Sequence, residues 1–334
     1  MFNSSVVQTG EGGPTGELQL TFFANDQKVT PLLEGSECNG TAAACLKIMN
    51  KPLIVHNIDA LNRTLKGKIT RVAIPKDLKD IMDTINQHCR DINVREIDDG
   101  NNNSWIGSDN MIKQQNYGGA VFNWSEDSIR LPINSVIHSS SPENIKVELI
   151  TYPWNFLAAI QSLLKEYVTT TYISPSAKVS KTSVIEGPCI IEDNVVLDDF
   201  CKIKGPAYIS AGSVVGMCSL IRSSILGKNT RIGFNCEIAK SFLFGNTKMP
   251  HQNGILDSLI GSNVWFGGYS ATANVLLTRE NIKFMINGTL LDTGTDHFGA
   301  VVGNNSVVGA NVLILPGRQI PPNSRIQAGT IVRK

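Results

Sequence analysis

The sequence predicts two folds in tandem, a small layered α/β domain followed by a parallel β-helix, and three observations carry that prediction. Ile173, Val179, Ile185, Ile191, Leu197, Ile203, Ile209, Val215 and Ile221 fall six apart without a miss, and the beat returns through Val302, Val308, Ile314, Ile320, Ile326 and Val332. Four places after each early beat stands a small residue: Ala177, Ser183, Cys189, Val195, Cys201, Ala207, Ser213 and Ser219. The chain ahead of Ile173 has no such beat and alternates helical with strand-like patterns.

A period of six is neither helical nor a simple strand alternation; it is the repeat of a hexapeptide β-helix. If about a quarter of positions were aliphatic at random, nine consecutive hits would arise with a probability on the order of a few in a million, so chance spacing is set aside. The small residues fit a triangular coil whose interior cannot hold two large side chains per face. Three hexapeptides make one coil, and coils stack at roughly 4.8 Å, each covering the next. The frame slips by one between Ile221 and Leu226, then resumes at Ile232 and Ile238. Gly245 to Gly254 is polar and reads as an irregular excursion, as does the stretch from about Leu276 to Phe298. Such breaks map to loops on one face of a solenoid, often the binding face.

In the first 145 residues, Lys51 to Leu65 has helical spacing at Leu53, Ile54, Ile58, Leu61 and Leu65, and Lys68 to Pro75 reads as a strand. LKDIMDTINQHC is a second helix and INVREID a second strand, before the turn-rich DDGNNNSW. That order predicts a layered α/β domain over residues 1–145. GEGGPTG (Gly10 to Gly16) reads as a turn, and the ELQLTFFANDQKVT after it as a hairpin through Asn25-Asp26. Residues 146–168 form a connecting strand and helix. The helix, Pro153 to Val168, opens with proline at a first helical position and carries Phe156, Leu157, Ile160, Leu163 and Leu164 on one stripe, which is expected to dock the two domains. Residues 169–334 are the β-helix.

A chain of 334 residues has room for both. Its net charge of +1, with no basic run, gives a nucleic acid or an anionic membrane nothing to bind. No apolar stretch approaches the roughly 20 residues of a membrane span, and MFNSSVVQTGEGG is not a signal peptide. The seven cysteines are odd in number and include no C-x-x-C pair, so a reducing cytoplasm is the expected location. Cys189, Cys201 and Cys236 occupy the small slot of the hexapeptide and read as buried small hydrophobes.

The order of a KPL-type helix, TYPWNFLAAIQSLLKEY and hexapeptide coils resembles the two-domain sugar-1-phosphate nucleotidyltransferase/acetyltransferases, especially their archaeal members. The segment EIAKSFLFGNTKMPHQNGILDSLIGSNVWFGGYSATAN is similar to their acetyltransferase core, with its loop histidine, its D-S-x-I-G step and an asparagine twenty-three residues after the histidine. The resemblance implies a left-handed helix, a homotrimer with active sites between neighbouring coils, and acetyl transfer from acetyl-CoA to an amino-sugar phosphate or nucleotide sugar, without a metal. It implies His251 as general base: an ammonium nucleophile must lose a proton as it attacks a thioester, and imidazole, with a reference pKa near 6.5, suits that task. Asn274 is implied to orient substrate near the acetyl group. Arg222 and Lys283 would hold the sugar phosphate, with Lys240, next to Ala239 where the family has a lysine, substituting in part, while Gly268, Ala310 and Ala328 would line the pantetheine.

Three positions depart from that family: Gly254 replaces a substrate-contacting tyrosine, and Ala239 and Glu280 replace lysines. The first domain departs further. It lacks the G-x-G-T-R-x-x-P-L-T loop and is shorter, so it reads as a reduced nucleotidyltransferase-like domain. A non-catalytic binding or regulatory homologue is therefore the alternative. A γ-type carbonic anhydrase on the same scaffold needs three zinc histidines, and the coil region has only His251 and His297. Trp265, Phe266 and Tyr269 read as core or trimer contacts.

Overall fold

The computed structural model describes residues 5–8, 17–23, 47–49, 51–64, 68–75, 79–97, 113–117, 120–124, 128–132, 135–141 and 144–333. They fall into two compact units, with the division between Tyr152 and Pro153. No helix among the described residues is long and apolar enough to cross a membrane.

The first unit is a layered α/β fold. Its main sheet has six strands in the order Asn93–Ile97, Lys68–Pro75, Glu17–Phe23, Ser128–Pro132, Ala120–Trp124 and Lys113–Tyr117. The first four run parallel and the last two are added antiparallel. Helices α1 (Leu53–Thr64) and α2 (Lys79–His88) connect parallel neighbours, as parallel pairing requires. Leu53, Ile54, Ile58 and Leu61 of α1 and Ile81 and Ile85 of α2 are buried with Ile69, Val72 and Ile74. A three-stranded antiparallel sheet joins Ser5–Gln8, Asn144–Leu149 and Ser135–Ser141, so the strand after residue 143 belongs to this unit. The hairpin expected of ELQLTFFANDQKVT is not formed by Glu17–Phe23: this strand lies between two parallel partners, and a hairpin would pair it antiparallel. The Asn25-Asp26 turn, the Gly10 to Gly16 run and the DDGNNNSW stretch fall outside the described residues.

The second unit is a parallel β-helix of three eight-stranded sheets. Face 1 begins at Tyr172–Ile173, face 2 at Lys178–Val179 and face 3 at Val184–Glu186. The beat residues point inward: Ile209, Leu226, Leu243 and Ile260 stack on face 1, Val215, Ile232, Met249 and Phe266 on face 2, Ile221, Ile238 and Ile255 on face 3, all buried. Each such side chain stabilises the stack by roughly 1.5–3 kcal/mol relative to exposure. Cys189, Cys201 and Cys236 are buried among them, and burial pushes the Cys189 thiol up to about 11.

The frame slip is a property of three successive coils. Ile221, Ile238, Ile255 and Thr272 stack seventeen residues apart, where Ile203 and Ile221 are eighteen apart. The missing residue is always lost at the corner between faces 3 and 1, where Ser223, Lys240 and Asp257 take left-handed φ values. Ser224, Ser241 and Ser258 follow them as a ladder. Each hydroxyl donates to the carbonyl two residues back (2.8, 2.8 and 2.6 Å) and accepts an N–H from the coil above, from Ser241, Ser258 and Ala300.

This corrects the reading of Gly245 to Gly254 as an excursion. Lys248–His251 and Gly254–Leu256 are regular coil strands, paired on both sides. Met249 and Asn253 take the inward positions, and the buried Asn253 amide donates to the carbonyls of Gly267 and Ser270 at 2.8 and 3.1 Å. A satisfied polar residue inside the coil hid the repeat. The second predicted break is real, and contains a hairpin of Lys283–Ile286 with Thr289–Asp292.

Helix α3 (Pro153–Tyr167) lies on this unit. Trp154 packs on Phe284 and Phe298 of the excursion with ring centroids 5.8 and 6.4 Å apart, and Phe156 on Phe242 and Phe244 at 6.3 and 6.2 Å. It covers the outer side of face 1, where Ile225, Phe242, Leu259 and Val301 are buried.

Candidate active site

At the corner between faces 2 and 3 the chain turns on residues with left-handed φ: Phe200, Cys218, Asn235, Gln252, Tyr269, Asn311 and Gly329. Each of these from Cys218 upward donates its N–H to the carbonyl one coil below. Tyr269 donates to His251 (3.0 Å), Asn311 to Gly268 (2.9 Å) and Gly329 to Ala310 (2.9 Å). This ladder places His251, Gly268, Ala310 and Ala328 in one column, one residue per coil. His251 ends its strand with the side chain exposed, and Ala310 and Ala328 are exposed above it. A Cβ on Gly268 would lie 3.5 Å from the Cβ and 3.7 Å from Cδ2 of His251, so glycine leaves the flank of the imidazole uncovered. Gly267 is needed for the turn itself, since a Cβ there would stand 2.3 Å from the nitrogen of Ala310.

A groove of about 660 Å³ opens on face 3 beside this column. Cys218, Asn235, Gln252 and Tyr269 form one wall, and Leu220, Glu237 and Gly254 its floor. Gly254 gives the groove depth, because a Cβ there would meet only Ala271, at 3.8 Å.

The remaining candidates stand at the opposite edge of face 3. Arg222 donates from Nε and Nη2 to Oε1 of Glu237 on the next coil, at 3.0 and 2.9 Å. Ala239 lies directly above Arg222, and the exposed Lys240 donates its N–H to the Arg222 carbonyl at 3.0 Å. The Asn274 side-chain amide donates to Oδ2 of Asp257 at 2.6 Å, and the Asn274 backbone carbonyl accepts the N–H of Phe298 at 3.0 Å, closing the neck of the excursion. Lys283 is exposed at the base of the excursion hairpin, in register with Asp292, and Glu280 accepts from Thr278 at 3.2 Å. His297 contacts Asp296 at 2.7 Å, which holds that carboxyl below the usual range. One chain therefore gathers His251 with Gly268, Ala310 and Ala328, and holds Asn274, Arg222 and Lys240 a face-width away.

The groove wall was missed from sequence. Its signal is the seventeen-residue step: Cys218, Asn235, Gln252 and Tyr269 recur at that interval, each where the backbone needs a left-handed residue that asparagine tolerates well. At the corner between faces 1 and 2 the same need selects Asn229, Asn246, Asn263, Asn305 and Asn323, with side-chain amide hydrogen bonds from Asn229 to Asn246 (3.4 Å), Asn263 to Asn305 (3.0 Å) and Asn305 to Asn323 (3.2 Å).

Three parallel sheets wound on a hexapeptide beat, with a small-residue column meeting an exposed histidine at one corner, define a hexapeptide β-helix protein. Comparison narrows the class: residues 167–264 match the GMPPB C-terminal domain. The chain is 34% identical over 183 residues to the bifunctional protein GlmU of Methanococcus vannielii, covering 54% of this chain and 43% of that protein. It is 31% identical to the bifunctional sugar-1-phosphate nucleotidylyltransferase/acetyltransferase of Sulfurisphaera tokodaii, covering 54% of this chain and 45% of that one. The chain thus spans about half the length of the curated relatives it matches. A crystal structure of UDP-N-acetylglucosamine acyltransferase aligns with a TM-score of 0.31 at 16% identity, covering 48% of this chain and 70% of that one.

Proposed function

We propose that this chain is an acyl-CoA-dependent N-acyltransferase acting on the amine of an amino-sugar phosphate or a nucleotide sugar. The column of His251, Gly268, Ala310 and Ala328 carries the reading. The exposed small residues give a pantetheine arm a track along the corner, ending beside an exposed imidazole. His251 takes the proton of the acceptor ammonium, the freed amine attacks the thioester carbonyl, a C–N bond forms and the C–S bond breaks. His251 passes that proton to the CoA thiolate, so CoA departs as the thiol, and the second proton that the nitrogen sheds as it becomes an amide goes to water.

Asn274, Arg222, Lys240 and Lys283 are assigned to the acceptor. They stand across face 3 from His251, so a complete site takes the His251 edge of one chain and the Asn274 edge of a second, which a homotrimer supplies. The cytoplasm, where acyl-CoA and sugar nucleotides are available, is the proposed location.

The second reading is a binding or regulatory homologue without turnover. It is favoured by the Arg222–Glu237 pair, which occupies the cation assigned to phosphate, together with Ala239, Gly254 and Glu280. Thiol release from acyl-CoA, measured with a panel of amino-sugar phosphates and nucleotide amino sugars, separates the two. Acceptor-dependent release that His251→Ala reduces by two orders of magnitude or more, as about 10² or more is usual for such a base, supports the transferase. No release with any acceptor, despite binding, supports the second reading.

A further inference from the structure

The column that carries His251 continues below it, and its character changes there. Above the histidine stand Gly268, Ala310 and Ala328; below it stand Phe234 and then Met217, placed by the N–H bonds from Gln252 to Phe234 and from Asn235 to Met217. Phe234 is 47% exposed, Met217 37%, and Phe200, beside the column one coil further down, 63%. Large apolar side chains left open in a contiguous strip mark a contact with apolar matter. The strip ends at Asp199, whose carbonyl accepts the N–H of Cys218 and whose carboxylate accepts from the hydroxyls of Ser180 and Thr182. Those hydroxyls hold the Asp199 carboxyl below its usual range, so the lower end of the strip is charged.

We propose that the donor thioester carries an acyl chain longer than acetyl, and that its alkyl tail lies along Phe234, Met217 and Phe200. The inference rests on the reading of the upper column as the CoA track and of His251 as the base. With the pantetheine above and the carbonyl beside His251, the tail's continuation along the same corner is downward, and an acetyl group would leave the strip bare. Cys218 and Leu220, on the adjoining side of the groove, flank the path. Three coil spacings, about 14 Å, separate His251 from Asp199, which suits a chain on the order of ten carbons. The charged end at Asp199 limits it there, since methylenes gain nothing beside a carboxylate. The chemistry is unchanged: the C–N bond forms, the C–S bond breaks, and CoA leaves as the thiol.

Titration calorimetry of the full chain with acetyl-CoA, octanoyl-CoA and decanoyl-CoA tests this without an acceptor. The expected result is a decanoyl-CoA Kd at least about tenfold below that of acetyl-CoA, because several methylenes leave water. Phe234→Glu and, separately, Met217→Glu should remove most of that ratio. Equal Kd values for the three thioesters overturn the inference and leave the acyltransferase reading standing, whereas binding of none of them overturns both. A Phe234→Glu protein that keeps the wild-type ratio but loses its oligomer in sedimentation also overturns it, since the strip is then a contact between copies of the chain.

Discussion

Tyr269 donates its backbone N–H to the carbonyl oxygen of His251, 3.0 Å below, and through that bond the position of the histidine is fixed by the coil above. The candidate base is thereby part of a rigid stack, with its side chain free and its main chain held. The same relation repeated upward aligns Gly268, Ala310 and Ala328 over it, so the proposed donor track is a consequence of corner geometry.

Because the His251 side chain is exposed, its removal should affect chemistry and leave folding intact. His251→Ala is expected to lower kcat by about 10²–10⁴ with an acceptor that supports turnover, while the melting temperature stays within a degree or two, on the scale of a neutral surface change. Calorimetric melting beside thiol-release kinetics checks both halves.

The corner itself discriminates between two adjacent glycines. Gly267→Ala puts a methyl 2.3 Å from the Ala310 nitrogen and should destabilise the β-helix by about 1–3 kcal/mol. Gly268→Ala meets only ordinary contacts at 3.5 Å and should unfold with the wild type. Denaturant titrations of the two variants read the difference.

The serine ladder makes a matching prediction at another corner. Ser241→Ala removes a buried hydroxyl that donates to Ala239 and accepts from Ser258, leaving the Ser258 N–H without its acceptor. The expected cost is about 1–3 kcal/mol, measured by denaturant unfolding.

His56, buried in α1 with Nε2 against the Ile48 carbonyl at 2.9 Å, gives the first unit a pH dependence. Desolvation, opposed by the hydrogen bond to Ile48, lowers its pKa from 6.5 to about 4. Between those values the unfolded chain binds the proton that the folded chain does not. Stability is therefore complete above pH 6.5 and falls as the pH drops toward 4, by about 3 kcal/mol in all. His56→Gln should flatten that slope in urea titrations at stepped pH, relative to wild type.

Among the four cysteines of the β-helix, only Cys218 should react with a thiol reagent in the native state at pH 8, as read by peptide mass spectrometry. Cys189, Cys201 and Cys236 are buried and their thiols are pushed up by desolvation, whereas Cys218 stands exposed on the groove wall.

Much of the second unit was legible because an inward aliphatic at every sixth residue leaves its mark on sequence whatever the surface does. The helix from Pro153 was equally plain, ending at Tyr167 where Val168 was expected. Legibility failed where the core turned polar: Asn253 inside the coil and the one-residue loss before Ser241 and Ser258 made regular strands look like a loop. The candidate site divided along similar lines. Gly268, Ala310 and Ala328 share a column with His251 because whole coils separate them. That Arg222 is held by Glu237, and that Asn274 lies across a face from His251, depends on which corner each residue occupies, and a linear spacing of twenty-three does not reveal that. In the first unit a parallel strand, Glu17–Phe23, resembled half of a hairpin because a single strand's pattern does not record the direction of its neighbours.

The donor track is the central claim, and titration of the full chain with acyl-CoA thioesters, alongside Ala310→Trp, tests it most directly. Ala310 is exposed on the column, so tryptophan there obstructs the track without entering the core. The account predicts saturable binding by the wild type and a Kd at least about tenfold weaker, equivalent to about 1.4 kcal/mol of binding free energy or more, in a variant that melts as the wild type does. Undiminished binding by Ala310→Trp, or no binding by the wild type, would contradict it.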